Sequence, residues 1–251
     1  MTKVKKVIFT ILSIIAWLLI WELGASVVNN VAFFAGVSAT LKALGSLFVT
    51  EQFWITVIFS ILRIALGFLL GVFLGILLAF ICTKSEILHN FFSLGISVIK
   101  STPVASIIMI LWIFIGSVKV ASAIALFMVA PIIWQNLIDG FKAIDKNLSE
   151  VADVFGFSVA RRFRLVVFPT LIRYFVPAAL TSVGLAWKSG IAAEIITVAK
   201  NSIGYEIKTH KDYFESDYML AWTLVVIIIS VVFENVIRFL LRRFKSYEHK
   251  D

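Results

Sequence analysis

The chain has 251 residues, of which 61% are hydrophobic and 15% charged, with a mean hydropathy of +1.00. Soluble domains carry about half apolar and about a quarter charged residues, so this composition excludes a soluble globular protein and predicts an all-α polytopic membrane protein. The net charge of +8 is the Lys and Arg surplus that cytosolic segments of membrane proteins carry, which calls for no nucleic acid, and the single cysteine, Cys82, excludes an internal disulfide or a cysteine metal cluster.

Six spans are predicted, each close to the ~20 apolar residues that cross a bilayer core. The first covers Val7–Val28. Lys3, Lys5 and Lys6 precede it as they would a secretory signal, but it runs on through Trp17 and Trp21, too long for a signal core. Residues 29–54 are less apolar, and an amphipathic stretch at 41–48 predicts an interfacial helix. The second span, 55–82, carries Arg63 and a stripe of Gly67, Gly71 and Gly75 followed by Ala79. Small residues every fourth position let a second helix approach closely, either as static packing or as a sliding surface of a gate.

The third span, 91–115, is interrupted by Lys100-Ser101-Thr102-Pro103. Counted along a straight helix from its cytosolic edge near His89, at about 1.5 Å per residue, Lys100 falls near the middle of the membrane. An ionisable residue at that depth either marks a functional path or pairs and snorkels to fix helix positions. The fourth span, 120–138, contains Pro131, and the fifth, 170–193, contains Pro177 and Lys188 and ends beside Glu194. Prolines inside spans kink them and free backbone groups that must face protein or water. Ile203-Gly204-Tyr205 leads into a short outer helix, and the last span, 219–240, leads into the basic residues Arg238, Arg242, Arg243 and Lys245.

The basic residues set the orientation. Lys84, Lys142, Lys146, Arg161, Arg162 and Arg164 fall on one side with both chain ends, whereas Glu51, Glu206, Asp212, Glu215 and Asp217 lie among the outer segments. Both termini and the 145–168 loop are therefore expected in the cytosol. Within that loop, residues 148–155 read as a short helix with Asn147 or Ser149 available as its cap. Gly156 supplies a left-handed stop. Ser158 can cap a second helix that places Val159, Phe163 and Val166 on one face and the arginines on the other, and Pro169 suits the first position of the next span.

This loop resembles the EAA loop of ABC importer permeases: Glu150, Ala152, a glycine six residues after the glutamate at Gly156, and a proline thirteen later at Pro169. Val151 replaces the usual first alanine. The run from Lys100 through Trp112 and Gly116, the Trp187-Lys188 pair and Ala192-Ala193-Glu194 resemble the nitrate/sulfonate/taurine group of these permeases. The resemblance covers nearly the whole chain. It implies a type I ABC importer permease fold in one transmembrane domain spanning 1–251, a multi-pass location in a bacterial plasma membrane, and transport by alternating access. It also implies partners: two ABC ATPase subunits, an extracytoplasmic solute-binding protein, and a second permease copy or a paralogue, all surrounded by membrane lipid. The coupling residues would be Glu150, Ala152, Gly156, Arg161, Arg162 and Pro169. The path residues would be Lys100, Thr102, Pro103, Lys188 and Glu194, with the lysines drawing an anion and Glu194 shaping an outer gate, or else holding the helices by pairing with Arg63 and one another.

No G-x-x-x-x-G-K-[ST] run occurs, so ATP hydrolysis is expected to belong to a partner and not to this chain. His89, His210 and His249 share no ligand spacing, and no protease or esterase motif is present, so no metal, cofactor or catalytic residue is expected. A stand-alone ion-coupled carrier or channel is the rival reading, and the glycine-centred cytosolic loop, which such a protein does not need, separates the two.

Overall fold

Apolar runs this long satisfy their backbone groups only within helices, and the computed structural model, which describes residues 3–241, accordingly contains eleven α-helices, one π-helical turn and no strand among the described residues. Arg242, Arg243, Lys245 and His249 lie outside the described residues, as do the side chains of Lys3 and Lys6. In chain order the helices are α1 (Lys3–Val28), α2 (Val37–Phe48), α3 (Glu51–Cys82), α4 (Glu86–Ser101), α5 (Val104–Ile115) and α6 (Ser117–Lys142). There follow α7 (Lys146–Val154), α8 (Val159–Arg162), the π-helical turn Phe163–Val167, α9 (Phe168–Thr197), α10 (Ile203–Asp212) and α11 (Ser216–Leu241).

Among the described residues, five helices are long and apolar enough to cross a membrane: Val7–Val28, Glu51–Cys82, Ser117–Lys142, Val159–Thr197 and Ser216–Leu241. The remaining predicted span, the third in chain order, is not one rod. It breaks into α4 and α5, which meet at 104°. Pro103 has no N–H to give the helix and forces Thr102 into extended backbone (φ −78°, ψ 132°), so α4 stops there. The break falls just beyond Lys100, at the end of α4. Lys100 is an exposed residue in the last turn of α4, where its charge complements the helix dipole.

The chain folds as two compact units. One comprises residues up to Ser60 together with Val198–Ile228. Here the predicted interfacial segment is the twelve-residue α2, whose first N–H, on Val37, donates to the Glu22 carboxylate at 2.7 Å. Trp21 Nε1 donates to the Ala35 carbonyl at 3.0 Å, and Phe53 stacks on the buried Trp222 at 5.1 Å. The α10 N-terminus is capped by Ser202 and tied to α3 by the Ile203 N–H, which donates to Ser60 Oγ at 2.9 Å. At the other end of α10, His210 Nδ1 lies 2.6 Å from Glu215 and its ring stacks on Tyr218, with Glu206 one turn away. Burial pushes the Glu206 carboxyl above its ordinary range, and His210 opposes that shift.

The other unit comprises Ile61–Thr197 and the chain from Ile229 onward. Its core lies between α6 and α9, which bury Ile124, Val129, Ile133, Trp134, Ala186 and Trp187. The glycine stripe of α3 is a contact with α6. A Cβ on Gly67 would stand 2.1 Å from the Ser122 carbonyl oxygen, and one on Gly71 or Gly75 would stand within 2.8 Å of α6 atoms. Of the two readings of the stripe, this geometry is that of close packing. Gly67→Ala is expected to cost about 1–3 kcal/mol, because the obstructing atom is backbone and the helices must part. The check is the melting temperature and membrane abundance of the purified variant against Gly95→Ala, whose Cβ would meet nothing within 4 Å. Equal melting of the two variants would refute close packing at Gly67.

Candidate functional site

The 145–168 loop is built from local hydrogen bonds. Asp145, rather than Asn147 or Ser149, caps α7, its carboxylate accepting the Asn147 N–H at 2.8 Å. A carboxylate at a helix N-terminus is stabilised by the dipole as well as by the bond. At the other end, the Phe157 N–H donates to the Ala152 carbonyl at 2.9 Å and the Gly156 N–H to that of Asp153 at 3.1 Å. These two bonds form a Schellman motif, and it requires Gly156 at φ +63°. Ala152 is 1% exposed, which explains the small residue at that place, whereas Glu150 is exposed.

Ser158 caps α8 as the sequence predicts, accepting the Arg161 N–H. The predicted apolar face of α8 is only partly realised: Val166 is buried, but Val159 is 88% exposed and Phe163 is exposed as well. The arginines also have defined partners. Arg162 Nη1 pairs with Asp153 Oδ1 at 2.7 Å, which ties α8 to α7, and the Arg161 guanidinium sits 4.4 Å from the centre of the Phe157 ring. Pro169 does not begin a new helix. Helix runs without interruption from Val159 to Thr197, and Pro169 is the second residue of α9. Just before it, the Phe168 N–H bonds to the Phe163 carbonyl five residues back, so the π-helical turn absorbs the local misfit of a proline within a helix.

On this polar loop, Val154 and Phe155 are also largely exposed, at 84% and 72%. With Val159 they form an apolar tip bordered by Glu150 and the arginines, a surface suited to a protein partner. Sequence reasoning missed Val154, Phe155 and Asp153; the signal was their flank position around Gly156. A cleft of about 560 Å³ lies beside the loop, between Asp145, Leu148, Leu165, Pro169, Arg173 and Tyr174.

The charges expected on the path fall at separate places. Glu194 is fully buried and faces Arg63, which is 14% exposed, at 3.9 Å. Ser122 Oγ donates to the Arg63 carbonyl at 2.7 Å, so α3, α6 and α9 meet at this pair. Lys188, six residues before Glu194, is on another side of α9 and is exposed. It lines a cavity of about 350 Å³ with Thr181, Gly184 and Glu234. Thr102 turns its hydroxyl back to the Val98 carbonyl at 2.7 Å. Glu234 was missed in the sequence, although a lone acid within an apolar span is itself the signal. No cluster of His, Cys, Asp or Glu fit for a metal ion occurs among the described residues.

The family described as "Binding-protein-dependent transport system inner membrane component" matches residues 71–246. The chain belongs to this family. Among proteins similar to this permease is SsuC of Bacillus subtilis (strain 168), named for aliphatic sulfonates transport, 24% identical over 192 residues, or 76% of this chain and 69% of that protein. Others are the taurine transport system permease protein TauC of Escherichia coli (strain K12), 24% identical over 198 residues covering 78% and 71%, and the bicarbonate transport system permease protein CmpB of Synechococcus elongatus, 24% identical over 198 residues covering 78% and 67%. Two crystal structures share the fold at a TM-score of 0.63. One is an amino acid ABC transporter with histidines (19% identity, 80% of this permease and 97% of that chain). The other is a bacterial ABC transporter involved in the import of the acidic polysaccharide alginate (16% identity, 96% of each chain). The all-helical fold expected from sequence is thus the ABC importer permease fold, and the chain is a multi-pass inner-membrane transport component.

Proposed function

We propose that this permease is the membrane half of an ATP-driven importer that moves a small sulfonate-, taurine- or bicarbonate-like solute by alternating access. The observation that carries the reading is the 145–168 loop: two short helices pinned by a Schellman glycine and an Arg162–Asp153 pair, presenting exposed Val154, Phe155 and Val159. ATPase subunits would cover that tip, and the continuous helix from Val159 to Thr197 would carry their movement into the spans. The excess of basic residues around the loop and ends supports placing both termini with it in the cytosol. A second copy or a paralogue would complete the path, and an external binding protein would deliver solute.

The test is co-expression with a partner ABC ATPase. One ATPase is expected to co-purify per permease, and the permease alone is expected to show no ATP hydrolysis. Changing Val154 and Val159 to aspartate should release the ATPase while the permease stays in the membrane. Steady hydrolysis by the lone chain, or undiminished capture by the aspartate variant, would count against the proposal.

A further inference from the structure

We propose that the cavity between α9 and α11 is a contact site for a zwitterionic solute, in which Lys188 receives the anionic group and Glu234 the cationic group. The inference rests on the reading of the chain as a solute permease and narrows its substrate class. Glu234 stands on α11 between Phe233 and Asn235, the only acid from residue 219 to residue 240, with Arg238 one turn further on. Its carboxylate reaches the α9 backbone because Gly184 has no side chain: a Cβ there would lie 3.2 Å from Glu234 Oε1. Thr181 and Lys188 fall about one turn to either side of Gly184, so α9 presents hydroxyl, bare backbone and ammonium to one cavity of about 350 Å³. The residues next in sequence to the two charges hold this arrangement in place. Trp187, fully buried, packs edge-on against Phe233 with ring centres 5.1 Å apart.

A carboxylate and an ammonium inside spans are each expensive to keep charged without a counter-charge. Lys188 and Glu234 share a cavity, yet no ion pair within 4.0 Å joins them among the described residues. A solute with both charges a few bonds apart would satisfy both residues at once. A simple anion would meet the repulsion of Glu234, a simple cation that of Lys188, and a neutral solute would leave both uncompensated. The carboxylate therefore favours an amino-sulfonate or amino acid over a plain sulfonate or bicarbonate.

The experiment uses the full chain in membrane vesicles with its ATPase bound, Cys82 replaced by alanine, and Leu185, an exposed residue lining the cavity, replaced by cysteine. Its rate of modification by a small charged thiol reagent is measured with taurine, β-alanine, ethanesulfonate or ethylammonium present. Taurine or β-alanine is expected to protect, and the two single-charge compounds are not. Glu234→Gln should raise the zwitterion concentration needed for half protection by about tenfold or more, and Glu234→Asp should restore it in part. Protection by ethanesulfonate equal to that by taurine would overturn the proposal in favour of an anion site. Lack of protection by either zwitterion would overturn it too. Because ATPase capture is scored on the same vesicles, failure here leaves the transport reading separately judged.

Discussion

Gly156→Val is expected to lower solute uptake about tenfold or more while the protein remains at normal abundance in the membrane. Gly156 sits at φ +63°, a backbone state that costs residues with a Cβ about 1–2 kcal/mol, and branched ones more. Nothing lies within 4 Å of where its Cβ would be, so the penalty is conformational and not a clash. The chain would relieve it by leaving the left-handed state, losing the bonds from Phe157 to Ala152 and from Gly156 to Asp153 and swinging Asp153 away from Arg162. Folding of the spans should be spared, because the turn is exposed. Asparagine tolerates this backbone best after glycine, so uptake should fall in the order Gly, Asn, Ala, Val. Uptake, immunoblotted abundance and co-purified ATPase are measured together. Wild-type uptake by the valine variant would remove the loop from the proposed coupling, as would loss of the protein itself.

The second large effect concerns Arg63 and Glu194. Arg63→Met leaves a fully buried carboxylate without its facing guanidinium, a change that costs about 3–5 kcal/mol when a buried pair is broken from one side. Glu194→Leu removes the carboxylate that faces Arg63. The double variant Arg63→Met with Glu194→Leu removes both charges and is expected to recover much of that loss, since replacing a whole buried pair by apolar side chains is often nearly neutral. Thermal unfolding in detergent of the two single variants and the double variant gives the coupling directly. A double variant no more stable than the worse single one would show that the pair is not what stabilises this junction of α3, α6 and α9. A double variant that folds well but fails to transport would point to gating by the pair.

Much of this architecture was legible because its cause is local. The glycine stripe follows from spacing alone, and so does the place of Gly156, since few residues other than glycine accept its backbone. Ser158 was readable as a cap for the same reason. The missed cap shows the limit: Asp145 serves α7 from just outside the segment that looked helical, and Asn147 and Ser149 within that segment drew the eye. Pro103 announced a break, but no rule of sequence gives the 104° at which α4 and α5 meet, because that angle is set by what each packs on. Pro169 misled in the opposite direction. A π-helical turn let the helix pass through a residue that ordinarily begins one. The Arg63–Glu194 pair joins positions 131 residues apart; the sequence offers it as one pairing among several, because no local pattern encodes which of these charges meet.

The unbroken helix from Val159 to Thr197 is 39 residues long, about 58 Å at the usual rise. Its two ends are geared together. The loop end carries Val159 and Arg162, and the far end carries Lys188 on one side and Glu194 on another. Each residue added to or removed from a helix turns everything beyond it by about 100°, so the rotational phase between the ends depends on the residue count of the π-helical turn at Phe163–Val167. Insertions are tolerated in most loops between spans, but one here would rotate the exposed loop tip relative to the cavity face like a shaft slipped by one tooth. In this short stretch the number of residues, and not only their chemistry, sets how the two ends face.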